Sequence, residues 1–177
     1  MNRLQSVSII LITISLVLPC CTKYKEPVPF RDGLFLEYDV GSNKKITYTF
    51  QISNSNQFKI TETRKRKVLD DDIEELYVGK YGKVRKSSFK PFEGKFSPVW
   101  IPVQKMSIGD TFDGGFLVAR KDTWRQWQVL VIKDPRFDAE EYFEINTGYF
   151  VGSVTRTAVG TGEFVLISTN ADIPTRE

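Results

Sequence analysis

The chain has 177 residues, a formal net charge of only +3 and no histidine. The absence of histidine excludes His-based catalytic triads and nearly all zinc and non-haem iron sites, and so small a charge excess gives no argument for nucleic-acid binding. The only two cysteines, Cys20 and Cys21, lie near the N-terminus, so the rest of the chain can form no internal disulfide.

The first 21 residues have the three-part layout of a secretory signal. Arg3 gives a short positive start, an apolar run covers residues 7–18, and two cysteines close the segment. The apolar run is too short and too softly flanked for a committed membrane span. We predict that residues 1–20 form a signal peptide, and the alternatives are a plain signal cut nearby or an uncleaved N-terminal anchor.

The end of this segment resembles the lipobox of bacterial lipoproteins. Leu18 lies three places before Cys21, with Pro19 and Cys20 between them. The resemblance implies that Leu18, Pro19 and Cys20 form the signal-peptidase motif. It also implies that Cys21 carries the acyl chains, palmitate among them, that bind a lipid bilayer. The other frame, with Cys20 as the anchor, places Pro19 directly before the cut, where its missing N–H and fixed φ disfavour cleavage.

A lipobox also implies a location. The protein is then expected in the cell envelope, held by its lipid anchor. Thr22, rather than Asp, follows the anchor. In a bacterium with two membranes, this implies the outer membrane, facing the periplasm.

Residues 21–32 are predicted to be a lipidated N-terminus and an extended tether, because the segment is polar and contains prolines. Period-two alternation of apolar and polar residues begins after it. Ile46, Tyr48 and Phe50 share one face of a predicted strand, for example, and Thr47 and Thr49 share the other. Such alternation predicts half-buried strands separated by short turns. The predicted strands cover residues 34–40, 45–53, 58–63, 76–84 as two short strands, 111–121, 123–133, 139–146, 149–157 and 163–169.

The segment 123–133 is the strongest predicted strand, and both of its faces become apolar toward its C-terminal end, so we expect that end to be buried on both sides. One short helix is possible near residues 133–141. We therefore predict an all-β domain at residues 33–170, followed by a polar tail at 171–177. Its fold is a single, strongly curved antiparallel sheet, half-barrel or barrel-like, of about nine strands with at most one short helix.

Two groups of side chains are candidates for a site. Glu140, Glu141, Glu144 and the acidic run 70–72 could serve acid–base chemistry, but exposed strand or loop acids are the preferred interpretation. Aromatic side chains could line a ligand pocket, with core packing as the preferred alternative. The candidate ligand-binding residues are Trp100, Trp124, Trp127, Tyr142 and Phe150, with Tyr149 beside them.

Sequence motifs for catalysis are missing. The chain contains no nucleophile elbow, P-loop or dinucleotide fingerprint, and a nominal Ser-x-x-Lys at residues 87–90 falls in a predicted loop. We predict no catalytic residue, no metal site and no cofactor, and therefore not an enzyme.

The C-terminal half resembles the LolA/LolB-like half-barrel periplasmic lipoproteins and their uncharacterised relatives. The resemblance lies in strand order and spacing: Trp100-Ile101-Pro102, Gly109-Asp110, the long strand 123–133, Tyr142, Gly148 and Val151-Gly152. It implies an open antiparallel sheet that wraps part of a hydrophobic cavity. The helices that cap the cavity in the lipoprotein carriers have no counterpart in this sequence.

These observations favour a membrane-anchored, non-catalytic envelope lipoprotein that binds a hydrophobic ligand or an envelope protein. One alternative is a structural or assembly lipoprotein with no small ligand, whose contact surface is a sheet edge. The other is a carboxylate-based envelope hydrolase. An apolar cavity would favour the first, a fully packed interior the second, and two acids facing each other in a cleft the third.

Overall fold

The computed structural model of this chain describes residues 27–65, 72–88, 93–134 and 136–175. Within them the chain forms eleven β-strands and one 3₁₀ turn, Val103–Lys105, and no α-helix. The first five strands are β1 (Phe35–Asp39), β2 (Lys45–Asn54), β3 (Gln57–Lys65), β4 (Asp72–Gly79) and β5 (Val84–Ser87). The other six are β6 (Thr111–Phe112), β7 (Phe116–Trp124), β8 (Trp127–Asp134), β9 (Ala139–Glu144), β10 (Phe150–Thr157) and β11 (Gly160–Thr169).

All of these strands belong to one sheet, in the order β5-β4-β3-β2-β1-β11-β10-β9-β8-β7-β6. Every described pair is antiparallel. The pairing of β1 with β11, in which Leu36 lies opposite Thr169, joins the meander β1–β5 to the meander β6–β11. The predicted all-β class and single antiparallel sheet are therefore confirmed.

Three details of the prediction are wrong. The segment 123–133 is not one strand, because the chain turns at Arg125, whose φ is +53°, between the end of β7 at Trp124 and the start of β8 at Trp127. The segment 111–121 is not one strand, because Asp113, Gly114 and Gly115 have φ values of +46°, +93° and +114°, which turn the backbone out of the extended region between β6 and β7. This break helps to raise the strand count above the predicted nine. No helix forms near residues 133–141, where β8 continues to Asp134 and β9 begins at Ala139.

The two outer strands of the sheet, β5 and β6, lie close to each other. A flat sheet of eleven strands spaced about 4.8 Å apart would hold them roughly 48 Å apart. Instead, Lys83, directly before β5, forms an ion pair with Asp113, directly after β6. The rings of Phe96 and Phe112 also lie 5.9 Å apart, centroid to centroid. The sheet therefore bends until its two edges meet through side chains, although no β5–β6 ladder joins them in the described residues.

The core follows the predicted alternation. Ile46, Tyr48 and Phe50 on β2 are buried, whereas Ile52, near the end of the strand, is 57% exposed. On β8 the four consecutive residues from Val129 to Ile132 are all buried, which confirms that this strand is covered on both faces.

Chain segments outside the strands also join the core. Phe30 is buried and packs against Phe50 and Trp100, with ring centroids 4.8 Å and 6.1 Å away, and the Val28 N–H donates to the Lys80 carbonyl. Residues from Val28 onwards thus pack against the core. At the other end, Ile173 packs partly buried against the core.

Candidate functional site

A cleft of about 410 Å³ lies where the two outer strands approach each other. We call it the aromatic cleft. Its walls come from the loop at residues 95–101, the β6–β7 hairpin, the β8–β9 loop and strand β9. The lining residues are Lys95, Phe96, Ser97, Pro98, Ile101, Phe112, Asp113, Phe116, Arg136, Phe137, Glu141 and Phe143. Its volume and apolar lining with few polar groups are typical of small-molecule sites.

The β6–β7 hairpin places two aromatic rings in the cleft wall. Phe112 ends β6 and Phe116 begins β7, and the tight turn between them stacks their rings at a centroid distance of 5.8 Å. Asp113, in the turn, accepts hydrogen bonds from the Lys83 ammonium and from the backbone N–H of Phe96. A single carboxylate therefore fixes the hairpin to the loop on the opposite side of the cleft.

Arg136 holds the β8–β9 side of the cleft. Its guanidinium donates two hydrogen bonds to the Asp134 carboxylate, 2.9 Å and 2.7 Å long, and lies 5.3 Å from the Phe116 ring and 5.8 Å from the Phe137 ring. The hydrogen bonds from Arg136 hold the pKa of Asp134 below its usual range. Phe137 remains 65% exposed, so an apolar ring stands at the cleft opening.

Three polar side chains of the cleft lining, Lys95, Ser97 and Glu141, form no hydrogen bond among the described residues. Ser97 is only 2% exposed, and its hydroxyl has no hydrogen-bond partner in the described part of the chain. Glu141 lies on the same face of β9 as the buried Phe143. No described group donates a hydrogen bond to its carboxyl, which lines the cleft. Burial raises the pKa of Glu141 to about 7; repulsion from Asp134 adds to the rise and attraction to Arg136 opposes it.

Three of the five predicted ligand residues form a stack elsewhere. The Trp124 ring stacks on Tyr142 with centroids 4.7 Å apart and on Trp127 with centroids 5.9 Å apart. A Cβ at Gly152 would lie 2.2 Å from the Trp124 indole, so the stack closes directly over this glycine. Tyr142 alternates with Glu141 along β9, which puts the stack on the sheet face opposite to the aromatic cleft.

The other two predicted ligand residues lie in the core. Trp100 is 1% exposed, and its indole N–H donates to the Thr147 carbonyl at 2.8 Å. Phe150 is buried between Tyr38 and Phe143, with both ring centroids 5.4 Å away. None of the five predicted residues lines the aromatic cleft.

The candidate carboxylates separate into different environments. Glu140 accepts two hydrogen bonds from Arg120, 2.9 Å and 3.1 Å long, and one from the Tyr142 hydroxyl; its pKa is lowered to about 2, mainly by the Arg120 hydrogen bonds. Glu144 accepts hydrogen bonds from the turn that follows β9. Of the acidic run, Asp72 begins β4, and residues 70 and 71 lie outside the described chain.

Neither a metal-binding cluster nor a membrane-spanning helix is found in the described ranges. Across the described ranges, no group of three or more Cys, Asp and Glu side chains is placed to hold a metal ion. In the same ranges no helix has the length and apolarity that a membrane crossing requires. The lipobox residues Leu18 to Cys21 lie outside the described chain.

The aromatic cleft uses residues that the sequence analysis did not select, namely Phe96, Ser97, Phe112, Phe116 and Phe137. One local signal was present: the sequence Phe112-Asp113-Gly114-Gly115-Phe116 places two phenylalanines on either side of a glycine turn. Nothing local indicates that this hairpin meets the loop at residues 95–101, because that contact depends on the curvature of the whole sheet.

Comparisons with known proteins give little further information. No family model matches the chain, and neither does any curated protein. Among solved structures, the chain is similar to the hypothetical protein CT021 from Chlamydia trachomatis, at 12% sequence identity and a TM-score of 0.45, over 81% of this chain and 89% of that chain. We base no functional argument on this similarity.

Proposed function

We propose that this protein is a non-catalytic binding protein that holds a hydrophobic ligand in the aromatic cleft. The observation that carries the proposal is the cleft itself: about 410 Å³ of space, lined by five phenylalanines. Transfer of an apolar ligand from water to such a surface is favourable by about 25 cal/mol per Å² of apolar area buried.

The roles of the neighbouring carboxylates support binding rather than catalysis. Acid–base hydrolysis needs two acids that face each other across a cleft. Glu140 is held in hydrogen bonds with Arg120, and Glu144 is held in the turn after β9. Glu141 is then the one member of this group that lines the cleft. The second acid of the lining, Asp113, is held by its ion pair with Lys83 and by the hydrogen bond from the Phe96 N–H.

We further propose that the protein is held at the cell envelope by acylation of Cys21, on the outer membrane facing the periplasm if the organism has two membranes. The lipobox pattern from Leu18 to Cys21 supports this proposal. The substitution Cys21→Ser should abolish lipid labelling and membrane retention, whereas Cys20→Ser should leave both intact. Labelling that persists in Cys21→Ser and disappears in Cys20→Ser would assign the anchor to the other frame.

Native mass spectrometry of the full chain, extracted in a mild nonionic detergent, tests the ligand proposal. The same sample measured under denaturing conditions gives the mass of the polypeptide with its covalent acyl groups. A reproducible additional mass that is present only under native conditions is then a bound, non-covalent ligand. We expect such a mass, in the range of lipids and other small amphiphiles.

Two matched variants assign that mass to the cleft. Phe137→Asp places a charge at the apolar opening and should weaken binding roughly tenfold, because the ligand must then displace water from a carboxylate. Val159→Asp makes the same change of chemistry at a residue that is 98% exposed and lies in the β10–β11 turn, and it should have no effect. A bare polypeptide mass in the native spectrum, or equal occupancy in both variants, would refute ligand binding in the cleft and favour a protein partner.

A further inference from the structure

We infer that the aromatic cleft selects an uncharged amphiphile, such as a long-chain alcohol, whose hydrogen-bonding head lies between Ser97 and the carboxyl of Glu141. This inference rests on the proposed function and adds the chemical class of the ligand. It uses Ser97 and Glu141, two polar side chains of the lining that form no hydrogen bond in the described residues.

Ser97 supplies the first argument. A buried hydroxyl without a partner is unfavourable, since it has lost its hydrogen bonds to water and gained none in the protein. The fold gives Ser97 no described partner, although it is 2% exposed and lines the cleft. A serine hydroxyl can both donate and accept and can rotate about χ1, so a hydroxyl or similar head group in the cleft would pair with it in either direction.

Glu141 supplies the second argument. Its carboxyl lines the same cleft, and the charged groups around it are Asp134 at the end of β8, Arg136 in the β8–β9 loop, and Lys95 and Asp113 in the opposite wall. Arg136 is already bound to Asp134, which limits its attraction to Glu141. Burial raises the pKa of Glu141 to about 7, so at neutral pH a large share of the protein presents a carboxylic acid that can donate a hydrogen bond.

The balance of charge in the lining argues against a charged head. Lys95 and Arg136 are opposed by Asp113 and Glu141, and both Arg136 and Asp113 are engaged in ion pairs with residues of the fold. An anionic head could pair with Lys95, but beside Glu141 it would meet a second acid, and a cationic head would meet Lys95 and Arg136. Burying an unpaired charge is far less favourable than burying a hydroxyl that forms hydrogen bonds.

Photo-crosslinking on the full chain, kept soluble in an amphipathic polymer, tests this inference. Three twelve-carbon probes carry the same diazirine and differ only in the head: an alcohol, a carboxylic acid and a plain methyl end. Saturable labelling is mapped by peptide mass spectrometry and followed between pH 6 and pH 8.5. We expect the alcohol to label cleft residues at the lowest concentration of the three probes.

The variants give separate readouts. Ser97→Ala should weaken binding of the alcohol roughly fivefold and leave the methyl-ended probe unchanged, because only one neutral hydrogen bond is lost. In the unsubstituted protein, binding of the alcohol should weaken with rising pH, up to about 30-fold at pH 8.5 if only the protonated form of Glu141 binds. Glu141→Gln, which stays neutral and keeps a donor, should remove this pH dependence.

Failure of the inference differs from failure of the proposed function. If no probe labels cleft residues saturably, both are overturned. If the probes label the cleft but the acid binds as well as the alcohol at pH 8.5, or if the pH dependence is the same in Glu141→Gln, the ligand-binding function stands and the selection of an uncharged head is refuted.

Discussion

Removal of the Glu144 carboxylate should destabilise the domain more than removal of any exposed acid. Glu144 is 1% exposed and accepts hydrogen bonds from the turn that joins β9 to β10. Its donors are the Asn146 backbone N–H at 3.0 Å, the Asn146 side-chain amide at 2.8 Å, the Thr147 N–H at 2.7 Å and the Thr147 hydroxyl at 2.7 Å. The same turn also holds Trp100, whose indole N–H donates to the Thr147 carbonyl.

The magnitude follows from these four donors. A hydrogen bond to a charged group contributes about 1.5–3 kcal/mol, but the four bonds share two oxygen atoms and are not additive. Water that enters the space left by the side chain would recover part of the loss. We therefore expect Glu144→Ala to lower the free energy of unfolding by about 3–4 kcal/mol. For a domain of this size, this corresponds to a fall in Tm of roughly 6–16 °C.

Thermal and urea unfolding, followed by near-ultraviolet circular dichroism, measure this loss. Glu163→Ala is the matched control, because Glu163 pairs with Arg125 on the surface with both side chains 47% exposed, and such pairs contribute at most about 1 kcal/mol. Glu144→Gln should lie between the two, since Asn146 can turn its amide to accept from the new NH₂ group. Equal losses in Glu144→Ala and Glu163→Ala would refute the structural role given to Glu144.

Three further substitutions test other parts of the fold, each by urea unfolding. Glu140→Gln should lower the free energy of unfolding by about 1–2 kcal/mol at pH 7. The pKa of Glu140 is lowered, so its carboxylate stabilises the fold only while it is ionised, and the difference between the two proteins should disappear as the pH falls from 4.5 toward 2. Glu141→Gln should show the opposite sign. Because the pKa of Glu141 is raised, the unsubstituted protein loses stability as the pH rises from 4.5 through 7. The variant should therefore be more stable than the unsubstituted protein by about 1–3 kcal/mol at pH 8.5 and equally stable at pH 4. Gly152→Ala should cost about 2–4 kcal/mol because its Cβ would meet the Trp124 ring at 2.2 Å and the Phe164 carbonyl oxygen at 2.4 Å, whereas Gly162→Ala meets no atom within 4 Å and should be nearly neutral. Equal effects in the two glycine variants would contradict the packing of the Trp124 stack.

Period-two alternation predicted most of the strands because it records which side chains face the core. On β2 and β8 the predicted buried faces are the observed ones. Alternation alone did not reveal the break between β6 and β7, which is marked instead by the turn sequence Asp113-Gly114-Gly115. It also gave no sign that Phe30 belongs to the core, because that residue follows two prolines in a segment without any periodicity.

The site was harder to predict than the fold, because large aromatic residues in a β-protein are used first for the core. Trp100 and Phe150 were candidates on residue type alone, and both are buried by their neighbours. The aromatic cleft instead depends on the bending of the sheet, which brings Phe96 and Phe112 together from positions 16 residues apart and at opposite ends of the strand order. Contacts of this kind arise from the sum of many small strand twists and leave no local signal in the sequence.

Strand β9 shows how one short sequence gives its acids different chemistry. Side chains alternate between the two faces of a strand, so Glu140 and Glu144 lie on one face and Glu141 on the other. The first face provides Arg120, whose hydrogen bonds stabilise the ionised form of Glu140, and the turn donors that hydrogen-bond to Glu144. The other face provides Phe143, the remaining walls of the aromatic cleft and the nearby charge of Asp134. A shift of the β9 register by one residue would exchange these environments and place Glu140 and Glu144 in an apolar cleft. The observed register, in which Val131 pairs with Tyr142, therefore determines that Glu141 alone of the three acids faces the cleft.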